Sequence, residues 1–553
     1  MLSTLLVWIY IAFLSFTYGW LWLNLLSKTG YLECKTQVPL EIILVAGSGV
    51  LSIIIGVLHV WLPVSFIMQL IILAGSLFLL WHWKKDLRSF FASRKKINGY
   101  KVLYYVILFT FSILILIHAA QPATNPDTGL YHAQTIKWLN TCRIVPGLGN
   151  LYGPLALNSH AHLLMSFFNF SFITTKILNQ TWSSFIFLLY CSYALREGFR
   201  SFKYRPVFSI YYFGSLFWGM VFFRNWISSP TPDTGVMFFF FFLFGVLLTA
   251  DRSRKLSWQV AFMFFLLPVV ISFKLSAIFS GAAGLAWLLL IRKQVNSRFI
   301  QIIVLQGLFV LVPYCTRNVI LTGHILYPLP ALNLFNFDWV VPQPWLSSYQ
   351  EGVAAYSRVP TVNWSFYVNK PFINWIPVWW VNQDKPVQIF MLILVILLPF
   401  IIWRVIRNIK FKLDLVLSTV WLSALIASLA WFFFAPAPRF GFGYLVPTLL
   451  IGTILLVRGR ISFKLGLFMG LLLGIYALNG IYKQVYRQAF SFIWPAGYPT
   501  PITEIRQIGK IKIRVALGIG RCYNLLPCTV PEPHPGLERR GEKLEDGFRI
   551  SKN

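Results

Sequence analysis

The residues with the clearest chemical potential begin in a polar segment, 121–159, which separates two long apolar stretches. Asn125 and Pro126 form a typical helix start, because asparagine caps helices well and proline needs no backbone donor in the first turn. Asp127 follows directly, and we predict that it is the catalytic acidic residue. The alternative is that Asp127 only complements the helix dipole, a contribution of about 0.3–1 kcal/mol.

The predicted helix carries several groups that could bind a sugar. At about 100° per residue, one narrow face is expected to collect four side chains, those of Asp127, Tyr131, Gln134 and Trp138. A carboxylate and an amide hydrogen-bond hydroxyl groups, and aromatic rings stack on the C–H faces of a sugar. We therefore predict a sugar-binding face that begins at Asp127.

Further charged residues stand at the ends of apolar runs far apart in the sequence. Besides Asp127 they are one acid and three bases, namely Asp233, Lys274, Arg317 and Arg439. In a closed helix bundle they would converge on one cavity, where the cations could bind a phosphate and an acid could act as general base. The alternatives are a helix cap for the acid, interfacial snorkelling for the arginines and mutual pairing for the lysine.

A divalent cation is also conceivable beside Asp127. His132, His160 and His162 supply imidazole nitrogens, which together with a carboxylate suit such an ion. The spacing of two residues between His160 and His162 does not put both on one helix face. The sequence thus leaves a metal ion as an open possibility and not as an assignment.

Composition makes the chain a polytopic membrane protein. It has 553 residues, of which 57% are hydrophobic and 12% charged, and a mean hydropathy of +0.67. The net charge of +31 is explained by short basic loops on one side of the membrane, which follow the positive-inside rule, so nucleic-acid binding is not expected. Fourteen apolar runs are long enough to span as helices: 3–26, 39–60, 63–83, 101–120, 177–195, 206–223, 234–250, 258–272, 275–291, 299–313, 387–404, 413–434, 442–457 and 464–480.

These runs give an all-α fold of about fourteen transmembrane helices. The predicted units are N-terminal helices (1–120), an external catalytic loop with interfacial helices (121–176), central helices (177–313), an external loop rich in aromatic residues and proline (314–386), C-terminal helices (387–480) and an external tail (481–553). The segment 155–172 is predicted as an interfacial or re-entrant helix.

Two features are expected in the tail. The alternation in residues 510–515 predicts a half-buried strand, so the tail should contain some β-structure. Cys522 and Cys528 could form a disulfide if the tail lies in an oxidising compartment.

Several motifs resemble the GT-C superfamily of polytopic glycosyltransferases, which includes the lipid A aminoarabinose transferase, the protein O-mannosyltransferases and the oligosaccharyltransferases. The motifs are the acid Asp127 in the first large loop, Pro154-Leu155 before an interfacial helix, Ser229-Pro230 to Asp233 before a span, the turn around Lys274, and Arg317 to Pro328, which includes Tyr327. A more specific similarity is to an uncharacterised family of bacterial envelope membrane proteins with a GT-C-like fold. It is carried by the stretches NPDTGLYHAQTIKW, VPGLGNL, APAPRFGFG, CYNLLPC and LEDGFRI.

The resemblance implies an inverting glycosyltransferase of the bacterial plasma (inner) membrane whose site faces the periplasm or exterior. Asp127 would be the catalytic base or would orient the acceptor, and Lys274, Arg317 and Arg439 would hold the phosphate of a polyprenyl-phosphate sugar. Tyr131, His132 and Tyr327 would lie in the substrate site. The expected partners are membrane lipid, the lipid-linked sugar, and a glycan, lipid or protein acceptor.

Two other classes of function remain open at the level of the sequence. One is a flippase for a lipid-linked glycan or another transporter, and the other is a non-catalytic scaffold for envelope assembly. Apart from Glu41 and Asp414, both near span ends, no acid lies in the predicted spans. Ion-coupled transporters place carboxylates near the midplane, so this distribution argues against transport.

Overall fold

The protein is largely α-helical. The computed structural model describes residues 1–30, 38–93, 101–250, 257–329, 334–361, 364–457, 463–487, 492–508, 511–518, 520–523, 525–530 and 533–551. The α-helices in this part of the chain are α1 (Leu2–Lys28), α2 (Leu40–Leu58), α3 (Phe66–His82), α4 (Lys84–Ser93), α5 (Lys101–Ala119), α6 (Ala133–Thr141), α7 (Leu148–Leu151), α8 (His160–Phe167), α9 (Thr181–Tyr204), α10 (Ser209–Phe223), α11 (Pro232–Leu248), α12 (Trp258–Phe273), α13 (Gly281–Ile291), α14 (Ser297–Thr322), α15 (Gln343–Arg358), α16 (Phe372–Val381), α17 (Lys385–Lys410), α18 (Leu415–Phe434), α19 (Pro438–Leu456) and α20 (Phe463–Arg487).

Eight helices within the described ranges are long and apolar enough to cross a membrane, and the bent pair α3–α4 would make a ninth span. The eight are α1, α2, α5, the 206–226 run that contains α10, α14, α17, α18 and α19. A set of helices of this length and composition is typical of a membrane protein. All fourteen predicted segments are helical, but α9, α11, α12, Leu275–Ile291 and α20 are outside this set, so the number fourteen stays a prediction.

Helices α1 and α2 pack with their backbones in close contact. A side chain on Gly19 would overlap the carbonyl oxygen of Ile43, and one on Gly47 would overlap that of Ser15. Small residues of this kind let helices approach each other in a membrane, where van der Waals packing drives their association. The pair forms one side of the main hydrophobic core.

Several predicted segment boundaries differ in the structure, and α9, for example, ends at Tyr204 and not at 195. Helix α14 runs to Thr322 instead of ending at 313, because it continues through Pro313 and stops only at Gly323, whose φ of +81° is left-handed. Within the segment predicted as interfacial or re-entrant, α8 has eight residues, about 12 Å, which is too short to cross a bilayer. All eight residues are buried, so α8 packs inside the protein.

The tail contains the expected β-structure. Strands β1 (Thr503–Ile508) and β2 (Ile511–Ala516) are antiparallel, with Thr503 opposite Ala516, and β3 (Cys528–Thr529) adds to β2 in parallel. Strands β4 (Leu537–Arg539) and β5 (Phe548–Ile550) form a second, antiparallel pair. Alternate residues of β2 are buried, which confirms the predicted half-buried strand.

The tail packs on the polar segment that carries Asp127, and this contact positions the site. Together with residues of α14, α15 and the stretch between them, they form a second hydrophobic core, called here the outer core, which comprises Trp138, Cys142, Ile144, Val145, Leu148, Leu151, Leu155, Ala156, Leu321, Tyr327, Val341, Leu346, Ile511, Ile513, Leu537 and Phe548. The Phe548 N–H donates to the Pro146 carbonyl at 3.0 Å. Gly547 lies against Pro146 with φ of +94°, so a side chain there would be both strained and blocked.

A disulfide joins Cys522 and Cys528, as predicted, with their Cα atoms 5.8 Å apart. The bridged loop contacts the segment that carries Asp127, since the Cys522 N–H donates to the Gly129 carbonyl at 3.1 Å. The amide Nε2 of Gln134 donates to the carbonyl of Cys528. The disulfide thus closes a loop within the tail, and these two hydrogen bonds hold that loop against the segment that carries Asp127.

Candidate functional site

Asp127 lies immediately before a π-helical turn. Its backbone N–H donates to Oδ1 of Asn125 at 2.9 Å, so Asn125 supports the chain where the predicted helix begins. The next five residues, Thr128–His132, form the π turn, and α6 follows. The wider π turn rotates the residues that come after it relative to Asp127, and such turns occur frequently at functional sites.

This rotation breaks the predicted single face. Gln134 contacts Cys528 of the tail, and the indole of Trp138 packs edge-on to Phe548 at 6.1 Å between ring centroids. Both residues are buried in or beside the outer core. The reason for placing Gln134 and Trp138 on one face with Asp127 is therefore removed, because a regular α-helix does not run through this segment, and their place in the substrate site stays a prediction.

Four charged residues do come together, and they are called here the charge cluster: Asp127, Asp233, Lys274 and Arg439. Nη1 of Arg439 lies 2.8 Å from Oδ2 of Asp127, and its Nε lies 3.9 Å from Oδ2 of Asp233. Nζ of Lys274 donates to Oδ1 of Asp233. The four side chains are 4% to 25% exposed, so their charges interact in a partly water-excluded space.

Helix ends position the charge cluster. Asp233 lies in the first turn of α11, where a carboxylate complements the helix dipole, and Thr231 caps this helix. Lys274 follows the last residue of α12 in an extended conformation, and Arg439 lies in the first turn of α19. The cluster forms because these ends and the segment after α5 meet at one end of the bundle.

Aromatic rings line the cationic side of the cluster. Nζ of Lys274 lies 3.6 Å from the ring centroid of Phe440, and the guanidinium of Arg439 lies 5.0 Å from the same ring. Trp226 lies 6.0 Å from Arg439. Cation–π contacts of this kind stabilise a desolvated positive charge. Phe440 directly follows Arg439 in the stretch APAPRFGFG, so its contact with the cationic side could be predicted from the sequence. Nothing in the sequence linked Trp226 to Arg439.

Several tyrosines lie on the acidic side of the cluster. Burial raises the pKa of Tyr131 and of Tyr152, and the carboxylate of Asp127 adds to both effects. The predicted residue Tyr327 stacks on Tyr349, with 6.2 Å between ring centroids, and burial together with Tyr327, Tyr152 and Asp127 raises the pKa of Tyr349. Tyr131 thus lies within electrostatic range of Asp127, whereas Tyr327 contacts Tyr349, which lies within that range. The sequence did not identify Tyr152 and Tyr349.

Two of the predicted histidines lie beside the cluster. The rings of His132 and His162 are 5.0 Å apart, and neither Nδ1 of His132 nor Nε2 of His162 has a hydrogen-bond partner among the described residues. His160 instead contacts Tyr314, at 5.6 Å. No group of three or more His, Cys, Asp or Glu residues in the described part of the chain could hold a metal ion.

Acidification is expected to destabilise the protein through His162. Burial lowers the pKa of His162 from its usual 6.5 to about 4. Between these values the unfolded chain binds a proton at this residue that the folded chain does not, so His162 alone should lower the free energy of unfolding by about 3 kcal/mol as the pH drops from 6.5 to 4. Urea unfolding of the detergent-solubilised protein across this range measures the slope.

The variant His162→Asn isolates this contribution, because asparagine does not titrate. Its free energy of unfolding should depend less steeply on pH between 6.5 and 4 than that of the original protein. Equal slopes in the two proteins would contradict the assignment to His162.

Arg317 makes its contacts away from the charge cluster. It is buried in α14, where Nε donates to Oδ1 of Asn158 at 3.0 Å and Nη1 donates to the Gly56 carbonyl at 3.2 Å. Nη1 also lies 3.0 Å from Nδ1 of His59. Among the described residues its partners include no carboxylate. The structure thus brings Asp127, Asp233, Lys274 and Arg439 together and does not add Arg317 to them.

Comparison with known proteins identifies a family. The model of a family described as a domain of unknown function, DUF8201, matches residues 1–446, and the chain belongs to this family. The match includes all four residues of the charge cluster. No curated protein matches the chain. No solved structure matches it either.

Proposed function

We propose that this member of the DUF8201 family is an integral membrane glycosyltransferase, which transfers a sugar from a polyprenyl-phosphate donor to an envelope glycan, lipid or protein. The observation that carries the proposal is the charge cluster, in which two carboxylates and two cations from sequence-distant helix ends meet. This combination supplies both functions that the reaction needs, a base for the acceptor hydroxyl and a site for the phosphate. The resemblance of the sequence motifs to the GT-C superfamily supports the same reaction.

The ion pairs suggest how donor binding activates the base. A donor phosphate competes with Asp127 for Arg439 and with Asp233 for Lys274, because both cations are strong partners for phosphate oxygens. Once Arg439 turns to the phosphate, the carboxylate of Asp127 is released from its 2.8 Å contact. Asp127 is then free to accept a proton.

The proposed reaction is a single displacement with inversion. The acceptor hydroxyl oxygen attacks the anomeric carbon while Asp127 takes its proton, and the bond between that carbon and the phosphate oxygen breaks. The electron pair leaves with the phosphate, whose charge Lys274 and Arg439 neutralise. The products are the glycosylated acceptor and the polyprenyl phosphate.

The proposal includes an orientation. The chain crosses the plasma (inner) membrane of a bacterium about fourteen times, and the charge cluster and tail face the periplasm or exterior. Two observations support it: basic residues concentrate in the loops at the opposite side, and the disulfide between Cys522 and Cys528 suits an oxidising compartment. In this position the site can take an amphipathic donor from the bilayer and a polar acceptor from water.

The test uses the full chain in proteoliposomes with radiolabelled polyprenyl-phosphate glucose, mannose and arabinose, each supplied with an extract of envelope glycans and lipids. We expect labelled acceptor and free polyprenyl phosphate to appear in equal amounts for one donor. Unchanged donors across the panel would overturn the proposal. Movement of intact donor between leaflets, without cleavage, would favour the flippase instead.

A further inference from the structure

A second candidate site lies where the tail meets the polar segment. It is a cavity of about 250 Å³, called here the tail cavity, and its described lining residues are Gly149, Asn150, Leu151, Tyr152, Gly153, Trp345, Pro533 and His534. Three parts of the chain therefore build it: the 149–153 stretch, helix α15 and the tail. The volume is below the roughly 300–1,000 Å³ of pockets for drug-sized ligands, so it suits one small unit of a larger molecule.

The walls of the tail cavity combine aromatic rings with the polar groups of Tyr152 and His534. Trp345 and His534 lie against each other, with 4.9 Å between ring centroids, and Tyr152 adds a third ring. Asn150 is 3% exposed, and its Nδ2 donates to the carbonyls of Trp339 at 2.9 Å and Phe548 at 3.3 Å. Its Oδ1 has no hydrogen-bond partner among the described residues. This oxygen exposes less than 1 Å² of surface, so it lies behind the cavity wall and a ligand in the cavity does not reach it.

The charge of the walls narrows the class of ligand. None of the described lining residues is Lys, Arg, Asp or Glu. A phosphate or carboxylate would find no cation there, whereas a neutral sugar could stack its C–H face on an aromatic ring and hydrogen-bond to the phenol of Tyr152 or the imidazole of His534. The chemistry of the walls thus fits a neutral sugar.

The tail cavity is connected to the charge cluster through Tyr152. This residue lines the cavity, and its phenol is close enough to Asp127 for the carboxylate to contribute to its raised pKa. Tyr349 lies within electrostatic range of both Tyr152 and Asp127. A molecule with one unit in the tail cavity would have its next units near the proposed base.

We propose that the tail cavity binds a neutral sugar unit of the acceptor glycan and so presents the next hydroxyl to Asp127. The role as an acceptor subsite rests on the proposed function, while the binding of a neutral sugar does not. The tail completes this site, although it lies beyond residues 1–446 that the family model matches.

Saturation-transfer NMR on the full chain in nanodiscs tests the binding directly. The probes are the methyl glycosides of glucose, galactose, mannose and N-acetylglucosamine, with glucose 6-phosphate as the charged comparison. We expect saturation at the ring C–H protons of at least one glycoside and a loss of roughly tenfold in apparent affinity for Trp345→Ala. Trp345→Phe should keep most of the affinity, because it keeps an aromatic face.

Trp364→Ala is the matched control. Trp364 belongs to the same aromatic-rich region and is half-buried like Trp345, but it is not among the residues that line the tail cavity. Absent saturation with every glycoside, equal losses in the two alanine variants, or stronger binding of glucose 6-phosphate would each overturn the proposal.

The outcomes separate this inference from the proposed function. Binding requires no transfer, so Asp127→Asn should retain it. Glycoside binding that depends on Trp345 in a protein that transfers no sugar would support the cavity and contradict the enzyme. Sugar transfer by a protein that shows no such glycoside binding would support the enzyme and contradict the cavity.

Discussion

Replacing Asp127 by Asn should lower the rate of sugar transfer by roughly 10²–10⁴-fold, the usual loss when a general base is removed. Asparagine has nearly the same shape but cannot accept the proton of the acceptor hydroxyl at neutral pH. The protein should still fold, because the Asp127 side chain is partly exposed and Arg439 keeps Asp233 as a second carboxylate at 3.9 Å. The rate of label transfer in proteoliposomes measures the effect, and thermal unfolding checks the fold.

Asp338→Asn is the matched control for this experiment. Asp338 also pairs with arginine, since Nε of Arg540 lies 2.9 Å from its Oδ2, but it is 42% exposed and outside the charge cluster. It should transfer sugar at the original rate. Equal activity in Asp127→Asn and Asp338→Asn would remove Asp127 from the role of base.

Much of the fold follows from apolar length and charge placement. Each predicted span corresponds to a helix, because an uninterrupted apolar run has few other ways to satisfy its backbone in a membrane. The end of α14 was misplaced because Pro313 resembles a helix end, whereas a membrane helix can continue through proline. The docking of the tail depends on positive-φ glycines such as Gly147 and Gly547, which a single sequence does not relate to each other.

The charge cluster could be predicted in part for a simple physical reason. Asp127, Asp233, Lys274 and Arg439 all follow or precede apolar runs at one side of the predicted topology, so closing the bundle brings them together. Arg317 also lies next to a predicted apolar run, but its position inside α14 directs its side chain to Asn158 and His59. The π turn after Asp127 could not be foreseen, since capping residues determine where a helix begins and not how its first turn is wound.

Variants of the pair Asp233 and Lys274 should separate effects on stability from effects on activity most clearly. Both belong to the charge cluster, and burial alone would lower the pKa of Lys274, an effect that Asp233 opposes. Breaking a buried pair by removing one partner usually costs about 3–5 kcal/mol, because the other charge stays unpaired. A quarter of the Lys274 side chain is exposed, so the cost here should be near the lower end of that range.

Asp233→Asn should therefore lower the free energy of unfolding strongly, whereas Asp233→Asn with Lys274→Gln should regain most of it, because no unpaired charge is left. Transfer should stay at least tenfold below the original rate in the double variant, since the cation for the donor phosphate is gone. Urea unfolding and the transfer assay on a double-mutant cycle measure both effects. A double variant whose loss of stability equals the sum of the losses in the two single variants would show that the two residues are not energetically coupled. A double variant with the original activity would exclude Lys274 from the phosphate site.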